Sequence, residues 1–569
     1  MRPLLSSRQS LKLDEHVRQL LDFSSEMLME IASGKLWEAL CAEMLADGEA
    51  RRGENRKGAV RELTGISIAA VCGKGDNAGD ALAMARHAKI EGFKDCAAYI
   101  PAREELKESV KKNLTRAERC GVTLHFYDMS DGEAASFARE LSRYNIVLDA
   151  VLGTGTRGPA KTSAAYAISA LNALSQLRGV EKNAHPRIIS IDIPSGLSDR
   201  WRREYPIVRA DLTLCIEPLK EALYVPSARP FAGKILPVSG IFPLWTKKST
   251  SRAFLVEEAD IGQYIPEVAT WAHKMQRGRV AILAGSKEGA GAALHCVRGA
   301  LSSGAGYVAL YCDEDLLSAY LSIVGDAAIV RVYAEDDFSA EDWDAIVAGP
   351  GWGTDVRRSA TLRRLLASMT PLILDADALR LYAKIAPDLL RGTLPIGLGP
   401  VVLTPHPGEF RDLSPLIESG DTSECDEALD ASDTVRQVGE LAACLRAIIA
   451  LRAATTHIAD PNGNCAIFDG SAFGLGIAGS GDVLAGLAGG LLARRKAQFR
   501  DPQYSGSGAP ECSMEEAMQA VVGAVVAHGV AGKRLSEKKG WFTPAELADE
   551  CAIITSKIER PNADAERDQ

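Results

Sequence analysis

Twice along the chain, short apolar runs end in a turn of glycine, aspartate, asparagine or serine, and a helical stretch follows. That alternation restricts the fold more than any other feature. Strands that recur with helical crossovers between them pack as a mostly parallel sheet covered by helices. The first series of strands is expected at Ile66–Cys72, Ala97–Ile100, Thr123–Tyr127, Ile146–Leu148, Arg187–Ile191 and Leu212–Ile216, with helices such as Ala81–Lys89 and Ala134–Tyr144 between them. The second is expected at Val280–Leu283, Tyr307–Tyr311, Ala328–Val332, Ala345–Val347, Leu372–Leu374, Val401–Leu403, Ala447–Leu451 and Cys465–Phe468. Between the series, Trp245–Arg252 is polar and aperiodic, which marks a domain boundary. Ahead of the first series, helical spacing runs over 11–47 (Leu20, Leu21, Met27, Leu28, Trp37, Leu40, Met44), and 48–60 reads as an exposed loop. Residues 500–513 read as a mobile surface loop and the tail from Glu559 as disordered.

Bulk properties narrow the function class. The net charge of -10 over 569 residues disfavours a nucleic-acid or anionic-membrane partner. Twelve cysteines without a C-x-x-C pair argue against a metal ribbon or a disulfide framework and fit a reducing compartment. The first residues reach charge too soon for a signal peptide, and no apolar run is long enough to span a bilayer, so a cytoplasmic setting is expected.

Chemistry concentrates where strands end. Cys72-Gly-Lys-Gly-Asp-Asn-Ala-Gly-Asp80, Asp149-Ala-Val-Leu-Gly-Thr-Gly-Thr156 and Asp192-Ile-Pro-Ser-Gly196 each follow a strand of the first series. In a parallel sheet those ends share one edge, where ligands bind. The first turn departs from a dinucleotide fingerprint, since Ala78 stands where the third glycine belongs and Gly79 comes one position late. Asn77, Asp149 and Ser195 could converge as oxygen ligands of a cation, or each could satisfy its own turn. In the second series the ends read Gly349-Pro-Gly-Trp-Gly353, Asp375-Ala-Asp377, Thr404-Pro-His-Pro-Gly-Glu409 and Gly479-Ser-Gly-Asp482. Asp375, Asp377 and Glu409 are candidates to hold Mg²⁺ directly or through water. The last turn feeds an apolar helix, so its N–H groups can cradle a phosphate. Asp482 is then either an N-cap or a base beside that cradle.

The motif order resembles a known family. Leu28-Met-Glu30, G-K-G-D-N-A-G-D, D-A-V-L-G-T-G and D-I-P-S-G over about residues 10–245 are similar to the N-terminal epimerase domain of bifunctional NAD(P)H-hydrate repair enzymes. The resemblance implies a Rossmann-like three-layer sandwich over 1–247 that interconverts the R and S forms of hydrated NADH and NADPH. It also implies potassium at Asn77, Asp149 and Ser195, a proton-transferring Asp192, and substrate contacts at Asp76, Asn77, Ala78, Gly79, Asp80, Gly153, Thr154, Gly155, Thr156, Arg157 and Gly158. Lys220 matches a family lysine late in the domain. Asp76, Ala78 and Ala81 depart from the family's G-x-G-N-N-G-G-D-G. A carboxylate at 76 is expected to repel phosphate unless a cation offsets it, and Ala78 to strain any position needing positive φ.

The strand-end motifs of the second series, with His273-Lys274, Gly285-Ser286, Ser303–Gly306 and His528–Gly532, resemble the ADP-dependent hydrate dehydratase domain, a ribokinase-like α/β fold, over 252–558. By that resemblance Asp482 deprotonates the hydrate hydroxyl, and Gly479, Ser480 and Gly481 hold the transferred phosphoryl group. Ala292, Gly351, Gly353 and His406 contact substrate, and Arg452, Ala453, Ala454, Thr455 and Thr456 contact nucleotide. ADP is the co-substrate and Mg²⁺ the metal, AMP and phosphate are products, and a homo-oligomer is expected. Leu451-Arg-Ala453 stands for the family's Leu-Lys-Gly, Ala472-Phe-Gly474 for Asn-x-Gly, and Ser480 for threonine. Two other readings compete: a ribokinase-like kinase using ATP on a vitamin-type alcohol, and a degenerate first domain that only binds or assembles.

Overall fold

A computed structural model describes residues 1–52, 65–101, 106–127, 134–176, 186–243, 246, 251–268, 271–334, 337–393, 397, 399–417, 434–498 and 512–557. The loop expected at 48–60, most of the 245–252 boundary, the 500–513 loop up to residue 511 and the tail from Glu559 lie outside the described residues or their side chains. The chain divides into two compact units, one over Arg2–Ser251 and one from Arg252 onward.

The N-terminal unit opens with β1 (Arg2–Leu5), two helices (Ser7–Leu21 and Ser25–Arg52) and then β2 (Ile68–Cys72). The single helical stretch expected over 11–47 is therefore two helices. Asp22 adopts φ 54°, a left-handed cap that a short polar side chain tolerates, and it stops the first helix there. β3 (Cys96–Ile100), β4 (Thr123–Phe126), β5 (Ile146–Ala150), β6 (Arg187–Ile191), β7 (Leu212–Ile216), β8 (Leu219–Lys220) and β9 (Lys234–Val238) follow. Seven of these form a parallel sheet in the order β4-β3-β2-β5-β6-β7-β9, and β1 pairs with β8. Alternate residues of one strand enter different cores. Ile68, Ala70 and Cys72 pack with Trp37, Leu82 and Met84, whereas Ala69 and Val71 pack with Phe137, Ile168 and Leu171. That period of two is what a sheet covered on both faces requires. The order reverses between β2 and β5, so the turns after them flank a crevice at the C-terminal edge.

The C-terminal unit contains β10 (Ala253–Val256), β11 (Arg279–Leu283), β12 (Tyr307–Cys312), β13 (Ile329–Val332), β14 (Ala345–Ala348), β15 (Leu372–Leu374), β16 (Val401–Leu403), β17 (Ile448–Leu451), β18 (Thr456–Ala459) and β19 (Cys465–Phe468). They lie in the order β13-β12-β11-β14-β15-β16-β17-β18-β19-β10. Pairing is parallel except on both sides of β18. The order reverses between β11 and β14. The helix Ser480–Gln498 is buried over most of its circumference against this core, so its apolar run shows little amphipathic spacing. Both units are thus α/β, as the alternation requires. Among the described residues, no helix is long and apolar enough to cross a membrane.

Candidate functional sites at two sheet edges

In the N-terminal unit the three residues expected to converge do so. Asp149 is the penultimate residue of β5 and is fully buried. Its Oδ2 accepts from Ser190 Oγ at 2.7 Å and Ser195 N at 2.9 Å, and its Oδ1 accepts from Val151 N at 3.5 Å. These donors are neutral, and burial pushes the carboxyl above its usual range against their pull. Asn77 Nδ2 donates to the carbonyls of Leu152 at 3.2 Å and Ile191 at 3.1 Å, and Ser195 Oγ accepts from Leu152 N at 2.8 Å. Turning the Asn77 amide over would set its oxygen beside those two carbonyls. A buried carboxylate without a cationic partner among its bonds, together with amide, hydroxyl and carbonyl oxygens, suits a hard monovalent cation.

Asp192 follows β6 at φ 67°. Its Oδ1 accepts from Lys220 Nζ at 2.5 Å and from Ile216 N at 3.1 Å. Lys220 is buried. Desolvation would strip its proton, but the Asp192 carboxylate outweighs that and holds its pKa above the ordinary value. Asp80 lines the same cavity, and burial, then the charges of Asp192 and Asp76, push its carboxyl well up. The cavity has a volume of about 750 Å³. Gly153, Thr154, Gly155 and Thr156 form part of its wall, as do Lys74, Lys107, Tyr127 and Lys161, while Arg157 and Gly158 lie outside it.

The altered glycine loop finds its explanation here. Residues 76–81 lie in the first turns of the helix Asp76–Ile90, so Ala78 and Ala81 need no positive φ and the expected strain at Ala78 is absent. At Gly79 a Cβ would sit 2.6 Å from Met29 Sδ, so a side chain there would have to push the thioether aside. Asp76 is half exposed and is met by Lys107 Nζ at 2.6 Å and Ser109 Oγ at 3.1 Å. The offsetting cation is therefore a lysine of the chain, which the sequence reading missed.

In the C-terminal unit Gly479 has φ 94° and Ser480 begins the helix, so the N–H groups of the turn are free of intrahelical partners. A Cβ at Gly481 would lie 2.2 Å from Arg452 Nη1. The Arg452 guanidinium thus occupies the space above the helix N-terminus. Its Nη2 donates to Asp375 Oδ1 at 2.7 Å and lies 3.8 Å from Glu409 Oε2. Burial raises the carboxyls of Asp375, Glu409 and Asp482. For Asp482, burial and then the Asp375 charge bring the pKa up to about 7, with Arg452 pulling back. Buried His528 holds Ser480 through Nε2, 3.1 Å from its Oγ and 3.0 Å from its carbonyl. Desolvation lowers its pKa to about 4, so it stays neutral.

Other expected contacts are placed as follows. His406 Nδ1 caps the helix Pro407–Leu413, accepting from Gly408 N at 2.9 Å and Glu409 N at 3.3 Å, and Glu409 answers by accepting from His406 N. His406 Nε2 lies 3.5 Å from Glu409 Oε1. Asp377 does not join Asp375 and Glu409 but accepts from Gly353 N at 2.8 Å. Gly351, at φ 57°, lies against Gly289 just before the helix that carries Ala292. Beyond Arg452, Ala453 is half-buried and Ala454 exposed, whereas Thr455 is fully buried and Thr456 opens β18. Among the described residues, no three His, Cys, Asp or Glu side chains cluster as a metal site.

Residues 25–222 match the family model described as YjeF-related protein N-terminus, and residues 280–553 the model described as NAD(P)H-hydrate dehydratase. The bifunctional NAD(P)H-hydrate repair enzyme of Methanopyrus kandleri is 31% identical over 77% of this chain and 82% of its own. That of Thermosynechococcus vestitus is 30% identical over 76% of this chain and 80% of its own. A crystal structure of the ADP/ATP-dependent NAD(P)H-hydrate dehydratase from Bacillus subtilis, co-crystallized with ATP/Mg²⁺, is 26% identical, covers 53% of this chain and 98% of that chain, and has a TM-score of 0.42.

Proposed function

The chain belongs to the family of bifunctional NAD(P)H-hydrate repair enzymes, and on that premise we propose that it restores hydrated nicotinamide cofactors in two steps. Residues 1–247 interconvert the R and S hydrates of NADH and NADPH. Residues 252–558 dehydrate the S form at the expense of ADP. The observation that carries this reading is Asp482, a carboxyl brought to a pKa of about 7 in the first turn of the helix Ser480–Gln498.

Asp482 takes the proton of the hydrate hydroxyl as that oxygen attacks the terminal phosphorus of ADP, and AMP leaves. The N–H groups of Gly479 and Gly481 and the Arg452 guanidinium take up the charge on the transferred group, while Ser480 N donates to the Ile477 carbonyl. Loss of phosphate with a ring proton then restores the dihydronicotinamide, so the elements of water leave with the phosphate. Mg²⁺, when bound, neutralises the nucleotide phosphates, and Asp375 and Glu409 are the groups to hold it through water.

In the N-terminal unit, Asp192 and Asp80 are the groups able to move a proton on the hydroxyl of the hydrate, with the charged Lys220 beside them. Asn77, Asp149 and Ser195 are assigned to potassium, whose charge would offset the buried carboxylate. Pairing of Asp76 with Lys107 supports an active epimerase over a degenerate module, because it removes the repulsion that a carboxylate at 76 would exert on phosphate. The same reading carries a cytoplasmic setting and a homo-oligomer, for which cell fractionation and light scattering are the measurements.

Incubation of the full chain with a mixture of R and S NADH hydrates, ADP and Mg²⁺ is expected to restore dihydronicotinamide absorbance in full. Restoration of only the S half until spontaneous epimerisation catches up would remove the epimerase assignment. No restoration would remove the dehydratase assignment.

A further inference from the structure

Two large rings stand in solvent beside the phosphate cradle. Phe473 is 64% exposed and Trp541 74% exposed, and they meet edge to face with centroids 5.4 Å apart at 86°. The backbone that carries them is held firmly. Gly474, next to Phe473, is buried, and a Cβ there would sit 2.3 Å from the Phe542 ring and 2.9 Å from Ser536 Oγ. Its N–H donates to Ser536 Oγ at 3.3 Å. Trp541 precedes Phe542, so one contact fixes the turns of both rings. The same two turns border the cradle. A Cβ at Gly479 would meet Pro544 Cγ at 2.8 Å, and Ser480 N donates to the Ile477 carbonyl at 3.3 Å. Trp541 lies three residues before Pro544, which keeps its backbone within about 11 Å of that contact. A nucleoside diphosphate can span such a distance between phosphate and base.

Buried Gly474 and Phe542 supply the packing here, which leaves the faces of Phe473 and Trp541 unused by the fold. Rigid, solvent-facing aromatic rings bind planar ring systems, and stacking strength grows with the ring area offered. Phe473 also follows Ala472, which stands where the family pattern has asparagine.

We propose that Phe473 and Trp541 form the wall against which the base of the phosphate-donating nucleotide stacks, and that this wall makes the site prefer purine to pyrimidine nucleoside diphosphates. The inference rests on the assignment of the Gly479–Gly481 turn to nucleotide phosphate.

The test compares the full chain with Phe473→Ala, Trp541→Ala, Trp541→Phe and the double alanine variant. Binding of ADP, GDP, CDP and UDP is measured by equilibrium dialysis without hydrate, and turnover is followed separately. The double variant should bind ADP and GDP about tenfold more weakly or worse, with CDP and UDP changed less than about twofold, and Trp541→Phe should retain most of the affinity. Equal weakening of all four nucleotides, unchanged ADP binding in the double variant, or no nucleotide binding by the parent chain would overturn the proposal. Wall-dependent ADP binding without hydrate turnover would remove the dehydratase assignment and leave the wall standing. Turnover that ignores the wall would do the reverse.

Discussion

Asp192 and Asp482 occupy comparable places, each just past the C-terminal edge of a mostly parallel sheet, yet their electrostatic surroundings differ. Asp192 is matched by buried Lys220 at 2.5 Å, a charge the chain supplies from its own interior. Asp482 shares the single guanidinium of Arg452 with Asp375 and Glu409 and is pushed into the neutral pH range. The first arrangement holds the Lys220 proton on its ammonium. The second leaves a carboxyl ready to gain or lose one. A site that must offset charge while the hydroxyl changes face gains from the former. One that deprotonates a hydroxyl as phosphate arrives gains from the latter.

The largest effect that can break this contrast is Asp482→Asn. Losing a positioned base should lower dehydration by about 10²- to 10⁴-fold while ADP still binds. Residual dehydration within tenfold of the parent would mean that Asp482 is only a helix cap. Next comes Lys220→Met, which strands a largely buried carboxylate and should destabilise the N-terminal unit by about 3–5 kcal/mol. Hydrogen exchange in β6 and β7 reads this out as lost protection, and epimerisation should fall with it. The pH dependence of dehydration sharpens the comparison further. Because the Asp482 pKa is raised to about 7, the base is protonated below that pH. The dehydration kcat/KM should therefore fall about tenfold per pH unit on the acid side of 7 and level off above it. Last, Lys107→Ala should shift stability by less than about 1 kcal/mol, since the pair is exposed. It should still raise the hydrate KM a few-fold by leaving Asp76 uncompensated, which steady-state epimerase kinetics would detect.

Much of both sheets could be read from the chain because buried parallel strands are short apolar runs with turn residues behind them. Arg187–Ile191, Leu212–Ile216, Leu372–Leu374 and Cys465–Phe468 fall where that pattern puts them. β18 was missed for a physical reason. It pairs antiparallel on both sides, holds four residues, and carries polar His457 in a buried position, so neither length nor hydropathy marks it. β1, β8, β9 and β10 escaped as well, β8 because two residues carry no periodicity. In the sites, Asp149, Asn77 and Ser195 could be grouped because each ends or follows a strand of one sheet. Lys107 could not be assigned to Asp76, since it sits on a different crossover and only the packed helices bring it near. His528 lay in a recognised motif, but its grip on Ser480 depends on how two helices cross.

The close approach of Arg452 to Gly481 also limits how this sequence can drift. The volume that a methyl group at 481 would need is taken by the guanidinium, so neither position can change as if the other were absent. A smaller cation at 452 would open that volume, and only then could residue 481 acquire a side chain without displacing the charge. Lineages carrying lysine and those carrying arginine at this place should therefore differ in what they accept at 481, a pairing that a comparison of many related chains would expose as correlated change.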